Sequence, residues 1–179
     1  LVRIQLGRLG KRLSEEDRAE IESVSSLVQK TIDSTRSLML QMSPPALDLG
    51  FWPAVDSMAT EFSDQAGLQI DLEDHSPQVQ LERDTAILLY RSLRELLFNV
   101  VRHAKTESAR VRRFVEDETL VLQVEDDGVG FAQTDTASPP QSLGLLLCYE
   151  RTRKLGGSLE IDSAERHGTR VTIAIPLGL

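Results

Sequence analysis

The side chains whose types and spacing could do chemistry are gathered in one short stretch, Glu95-Leu-Leu-Phe-Asn99-Val-Val-Arg102-His103-Ala-Lys105. At 3.6 residues per turn Glu95, Asn99, Arg102 and His103 (i, i+4, i+7, i+8) share one helix face. Leu89, Leu93, Leu96, Leu97 and Val100 cover most of the remainder. A carboxylate, a carboxamide and cations kept together on an otherwise apolar helix must face something polar, because buried polar groups without partners are costly. Solvent on the one hand, and a ligand or metal on the other, both satisfy that requirement. A second constellation, Asp126-Asp127-Gly128-Val129-Gly130, closes an apolar alternating run. Two glycines two apart let backbone come close to a flat or phosphate-bearing ligand. A carboxylate just before them can accept a hydrogen bond from an exocyclic amine. Alone, the same pattern also describes an ordinary strand-ending turn.

The elements that must position these residues follow from periodicity. Asp84 to Ala104 is apolar-periodic without Gly or Pro, which predicts one helix. Phe51 to Gln65 reads as a helix, and Gly67 to Glu73 alternates as a half-buried strand. Ser108–Glu116 and Glu118–Glu125 read as two strands, with Val115 to Glu118 as the hairpin turn. Phe131 to Ser142 is polar and aperiodic, hence a loop. Leu143–Leu155 reads as a helix capped by Gly156-Gly157, and Ser158–Ser163 and Thr169–Leu177 as the last two strands. The fold class is α+β, a two-layer sandwich with helices on one face of a mainly antiparallel sheet.

Ahead of it, Val2, Leu6, Leu9 and Leu13 read as the end of a helix that starts without a cap. Ser14 is a good N-cap for a second helix reaching about Met42, with Glu15, Glu16 and Asp17 in its first turn. Ile21, Val24, Val28, Thr31, Thr35, Leu38 and Met42 repeat at 3-4 spacing, a heptad seam. Ser43-Pro44-Pro45 stops this helix, because proline cannot continue it, and divides the chain into 1–45 and 46–179. Two narrow seams are not buried by a lone hairpin. A four-helix bundle built by two chains buries them, and packing on the chain's own second part is the alternative.

Totals exclude several classes. Hydrophobic content of 40% and charged content of 27% over 179 residues are those of a globular domain with an appendage. No run approaches the roughly 20 apolar residues of a membrane span, and the N-terminus has no secretory pattern. The net charge of −8 argues against nucleic acid as a partner. Residues 1–45 hold 7 basic and 6 acidic side chains against 13 and 22 in the rest, so a polyanion bound there would need a metal and local cations. The single Cys148 excludes an internal disulfide framework and a cysteine zinc site, and suits a reducing compartment. His75 and His167 lie in polar loop contexts without metal-ligand spacing.

Taken together, Glu95–Asn99, Asp126-x-Gly128-x-Gly130, a loop leading to Leu143-Gly144-Leu145, and Gly168-Thr169 resemble the Bergerat-type (GHKL) ATP-binding domain shared by histidine kinases, Hsp90, gyrase and MutL. Ser43-Pro-Pro-Ala-Leu47, Leu49-Gly-Phe51, Arg102-His-Ala104 and Glu150-Arg151 before Leu155-Gly-Gly157 look like the sensor histidine kinases paired with NarL-type response regulators. The resemblance covers essentially the whole chain. It implies ATP and Mg²⁺ as cofactors. Asn99 would hold the metal, Glu95 would orient it or a water, and Arg102, His103 and, more weakly, Lys105 would lie against the nucleotide. Asp126 would accept from the adenine amine with Thr169 supporting through a water, and Gly128, Gly130 and Gly144 would shape pocket and lid. It further implies a cytoplasmic homodimer joined through the helical region, a response-regulator receiver domain as partner, and a membrane connection only through a sensor segment outside this chain.

The chain also departs from that pattern. Ser142 stands where the lid has a glycine, and Leu147, Cys148 and Tyr149 where a glycine and a Met-Arg pair are usual. The first bundle helix, Leu1–Leu13, contains no phosphoacceptor histidine. The expectation is therefore the second half of a dimerisation region plus a complete catalytic domain, which binds ATP without phosphorylating itself. A nucleotide-binding regulatory module, an ATP-hydrolysing clamp in which Glu95 activates water, and a serine-directed kinase of the anti-sigma type are the alternatives.

Overall fold

The computed structural model describes residues 45–132, 140 and 142–177. The two N-terminal helices with their heptad seam, and most of the loop between Phe131 and Ser142, lie outside the described residues. After a short 3₁₀ turn, Pro45–Leu49, the chain forms helix α1 (Phe51–Ala66), strand β1 (Gln69–Asp74) and helix α2 (Arg83–Asn99). A π-helical turn, Val100–Ala104, extends α2. Strands β2 (Ser108–Glu116) and β3 (Thr119–Asp126), helix α3 (Leu143–Lys154) and strands β4 (Ser158–Ser163) and β5 (Thr169–Pro176) complete the fold. The sheet order is β1-β2-β3-β5-β4, antiparallel throughout except for the β1–β2 pair.

Apolar periodicity makes these elements one layer on another. Phe51, Ala54, Val55, Met58 and Phe62 of α1, and Ala86, Leu89, Leu93, Leu96 and Leu97 of α2, are buried. They meet Val111, Leu120, Leu122, Val124, Val171 and Ile173 from the alternate positions of the strands in a single core. Each fully buried Leu contributes about 1.5–3 kcal/mol. The bidentate pair of Arg94 with Glu61, at 2.7 and 2.6 Å, ties α2 to α1, and the Arg94 guanidinium lies over the Phe62 and Phe98 rings.

Three expectations are adjusted and one holds. The last five residues of the expected long helix wind as a π turn, after which the Ala104 carbonyl accepts from the Val129 N–H at 2.7 Å and Lys105 turns to φ 57°. The hairpin turn contracts to Asp117-Glu118, both with positive φ, the two-residue geometry that matches strand twist. Gly67 caps α1, its N–H bonded to Ser63 O, instead of opening β1. Gly156 and Gly157 do cap α3, donating to Arg153 O and Thr152 O in the paired pattern that satisfies the last carbonyls.

Arg113 breaks the apolar alternation of β2. It points into the helix layer, 3% exposed, and is held bidentately by Asp74 at 2.8 and 2.6 Å with the Trp52 ring 5.1 Å away. Burial pulls the Asp74 carboxyl up, but Arg113 and the Ser76 amide outweigh it and hold the group below its ordinary value. A depressed folded-state value contributes stability above the unfolded value of about 3.9 and loses it as pH falls through the folded one. Asp74→Ala is expected to cost about 3–5 kcal/mol in urea melts at pH 7, since it strands a buried guanidinium. The gap from the parent protein should narrow below about pH 4. An equal gap at both pH values would show that the pair is not the source.

Candidate functional site

The C-terminal end of β3 brings the two constellations together. Alternation sends Glu125 to the open face of the sheet and Asp126 to the helix-facing side. Neighbouring carboxylates are thereby driven apart. Arg170 beside Glu125, opposed by burial and helped by Arg112, holds that carboxyl down. Asp126 is 8% exposed, and burial pushes its carboxyl up, opposed by the Gly128 amide, whose N–H reaches Oδ1 at 2.9 Å.

The glycines answer to the chain itself. A Cβ at Gly128 would collide with the carbonyl and Cβ of Ala104 at the end of the π turn. Gly130 and Gly168 have φ 57° and 75°, and a Cβ on either would strike backbone, the Ala164 carbonyl for one and the Asp126 carbonyl for the other. These glycines let three backbone segments touch, so the expected close approach to a ligand is at least partly a close approach of strand end, helix end and β4–β5 turn. Gly144 differs: a Cβ there would meet the Glu95 carboxylate. That places Glu95 of α2 against the first turn of α3.

The helix-borne residues divide. Glu95 and Asn99 stay half-buried on the side that reaches α3, and the Asn99 amide nitrogen is buried without a hydrogen-bond partner. Arg102 is exposed with its guanidinium over the Phe98 ring, on the stripe it shares with Arg94. His103 and Lys105 are exposed. Among the described residues no cluster of three or more His, Cys, Asp or Glu could hold a metal, and no helix is long and apolar enough to cross a membrane. His75 and His167 are exposed, as their loop contexts suggested. A shallow hollow of about 350 Å³ on the open sheet face, floored by Phe114, Val121 and Ala174, is on the other side of the sheet from Asp126.

The departures of the lid are accommodated locally. Ser142 is the N-cap of α3 with φ −75° and ψ 137°, a conformation any residue adopts, so the absent glycine leaves no strain there. Cys148 is fully buried, donates weakly to Ser92 O at 3.7 Å, and has its thiol pushed up to about 12 by burial. It packs and is inert. The residue that periodicity did not single out is Ser163. It is 9% exposed and joined to Phe131, Gly168 and Thr169 by bonds of 2.9–3.0 Å. Its only signal was a polar residue at a core-facing position of β4.

Comparisons with known proteins agree with this fold. Residues 84–179, more than half of the chain, match the family described as histidine kinase-, DNA gyrase B-, and HSP90-like ATPase. The chain is 27% identical over 155 residues to the oxygen sensor histidine kinase NreB of Staphylococcus carnosus, covering 86% of this chain and 44% of that protein. It is 29% identical to the sensor histidine kinase ComP of Bacillus subtilis, covering 91% and 21%, and 32% identical to an uncharacterized sensor-like histidine kinase of Chloroflexus aurantiacus, covering 93% and 30%. The chain thus spans less than half the length of these curated relatives. Two solved structures share the fold: the histidine kinase domain of a blue-light activated kinase from Erythrobacter litoralis (TM-score 0.65, 20% identity, 97% of this chain and 91% of that one) and the histidine kinase AdeS of Acinetobacter baumannii (0.61, 20%, 99% and 95%). The chain belongs to the histidine kinase-, gyrase B- and HSP90-like ATPase family, and Glu95 to Pro176 lie within the part that carries its ATP-binding fold.

The raised Asp126 value has a consequence for stability. A group whose folded value lies above its unfolded one costs stability once ionised, so at neutral pH the carboxylate works against the fold. Asp126→Asn removes the charge and keeps an oxygen for the Gly128 N–H. The variant should melt at the same temperature as the parent or a few degrees above it in scanning calorimetry. A clear fall would mean that the carboxylate is stabilised where it stands.

Proposed function

We propose that this chain is the catalytic, ATP-binding portion of a sensor histidine kinase, residues 46–179, carried behind a dimerisation region in 1–45. The observation that carries the reading is the convergence of Asp126, backbone-clamped at the end of β3, with Glu95 and Asn99 on the helix whose end that clamp touches. Asp126 accepts from the adenine amine, and Thr169, paired with it across β3–β5, supports this through a water. Gly128, Gly130 and Gly144 shape the pocket, and His103 and Lys105 meet the phosphates from the exposed helix end, joined by Arg102 when its guanidinium leaves the Phe98 ring.

Asn99 and Glu95 fit a magnesium site. The Asn99 carboxamide oxygen and the Glu95 carboxylate one turn earlier are hard oxygen donors of the kind magnesium takes, and the buried, unpartnered Asn99 amide nitrogen is a donor that a phosphate oxygen or a metal-bound water would satisfy. Magnesium takes a few protein oxygens and completes its shell with water and phosphate, so no larger acidic cluster is required. When bound it neutralises phosphate charge. The protein's part is positioning. Asp126 fixes the base, Asn99 and Glu95 fix the phosphate end, and the γ-phosphoryl is presented to a histidine of the bundle. That histidine is absent from this sequence, so the chain binds ATP without phosphorylating itself. The whole protein works as a cytoplasmic homodimer passing phosphoryl to a response-regulator aspartate, with any membrane link in a sensor segment.

Titration calorimetry with a non-hydrolysable ATP analogue tests this. Magnesium-dependent binding is expected. Asp126→Asn should lower affinity by roughly 100-fold or more, because the amide turns a donor toward the adenine amine. Asn99→Ala should bring affinity with magnesium down to the value measured with a chelator. Unchanged affinity in Asp126→Asn would remove Asp126 from the site, and retained magnesium dependence in Asn99→Ala would remove Asn99.

A further inference from the structure

Register places three polar side chains in one row across the helix-facing side of the sheet. Asp126 of β3 pairs with Thr169 of β5, and Thr169 pairs with Ser163 of β4. The row continues on its other side through Ala109 of β2 and Ile70 of β1, both apolar. Ser163 has one proton and serves three neighbours. The Phe131 N–H donates to its Oγ at 3.0 Å, the Gly168 carbonyl can only accept and lies 3.0 Å away, and the Thr169 hydroxyl lies 2.9 Å away. All three bonds form together in one arrangement only. Ser163 gives its proton to Gly168 O, and Thr169 gives its own to Ser163. The Thr169 oxygen is then left with lone pairs alone for any further partner.

We infer that Ser163 is a specificity-determining positioning residue that acts through Thr169: it fixes the Thr169 hydroxyl as an acceptor beside the acceptor Asp126. This rests on the reading of Asp126 and Thr169 as the base-recognising pair. A site edge made only of acceptors matches the exocyclic amine of adenine, directly or through a water that must itself donate. It opposes a 6-oxo base, which presents another acceptor. Without Ser163 the Thr169 proton is free to turn outward and donate to that oxygen. The same serine holds the Phe131 amide, so it also anchors the chain where it leaves the Asp126–Gly130 turn toward the lid.

The experiment compares affinities of the whole chain for non-hydrolysable adenosine and inosine triphosphate analogues, both on the same sample so that folded fraction cancels in the ratio. In Ser163→Ala the preference for the adenine analogue should fall by roughly three- to tenfold, about the worth of one neutral hydrogen bond. Ser163→Thr, which keeps the hydroxyl, should retain the preference. Ser163→Cys, close in size but a poor acceptor, should lose it and serves if the alanine variant does not fold. In a Thr169→Val background Ser163→Ala should change the ratio no further. An unchanged ratio in Ser163→Ala and Ser163→Cys, or a full additive loss in the Thr169→Val background, would overturn the role of Ser163. Failure of the parent chain to bind either analogue would instead overturn the nucleotide reading itself.

Discussion

One backbone hydrogen bond, from the Val129 N–H to the Ala104 carbonyl, organises this domain. It fastens the turn that follows β3 onto the end of the helix that carries Glu95 and Asn99. The contact is possible because Gly128 presents no Cβ to Ala104. It also satisfies the Ala104 carbonyl, which as a helix-terminal group has no partner within the helix. Two constellations some thirty residues apart in sequence are held at one place by peptide groups, which do not titrate and have no rotamers to lose. Gly130 and Gly168 extend the same device to the β4–β5 turn, so helix end, strand end and turn form a frame of touching backbone.

Within that frame the sheet separates its charges by face. The open side carries a ladder that alternates in sign across all five strands, Asp71, Arg110, Glu125, Arg170 and Asp162. Arg112 strengthens it with a second bond to Glu125 at 2.7 Å. The side facing the helices keeps Asp126 buried, and among the described residues no cation offsets its charge. Adjacent residues on one strand thus hold one carboxylate lowered by its arginine partners and another raised by burial, the role proposed for it being recognition of the base. Arg94 and Arg113 serve the interior, each gripped bidentately by one carboxylate.

Much of this was legible before any coordinates. Elements with a strong period declared themselves, because burial of one face imposes the period on the residue types. The Leu89–Val100 stripe gave the central helix, and the alternation of β2, β3 and β5 gave the core strands. Asp126 with its two glycines, alone the pattern of an ordinary strand-ending turn, stood out only in combination with Glu95–Asn99, Gly144 and Gly168-Thr169. Short-range exceptions were less visible. Nothing local to Gly67 says whether it closes a helix or opens a strand, and no local rule says that the core-facing position of Arg113 can hold an arginine, since its reason, Asp74, comes from another strand.

The sequence by itself determined the element types, the family and the residues with chemistry to offer, because these depend on local periodicity and on which side chains can donate, accept or ionise. Tertiary structure decided their arrangement. It alone set β1 parallel to β2, brought Glu95 against Gly144, and moved Arg102 onto Phe98 instead of the Glu95–Asn99 face. It alone made Ser163 the neighbour of Thr169, and so gave a direction to a hydroxyl proton. The physical reason is range. Periodicity acts over a few residues, whereas strand register and backbone contact join segments far apart, and which atoms they bring within 3 Å is settled only when the whole core packs at once.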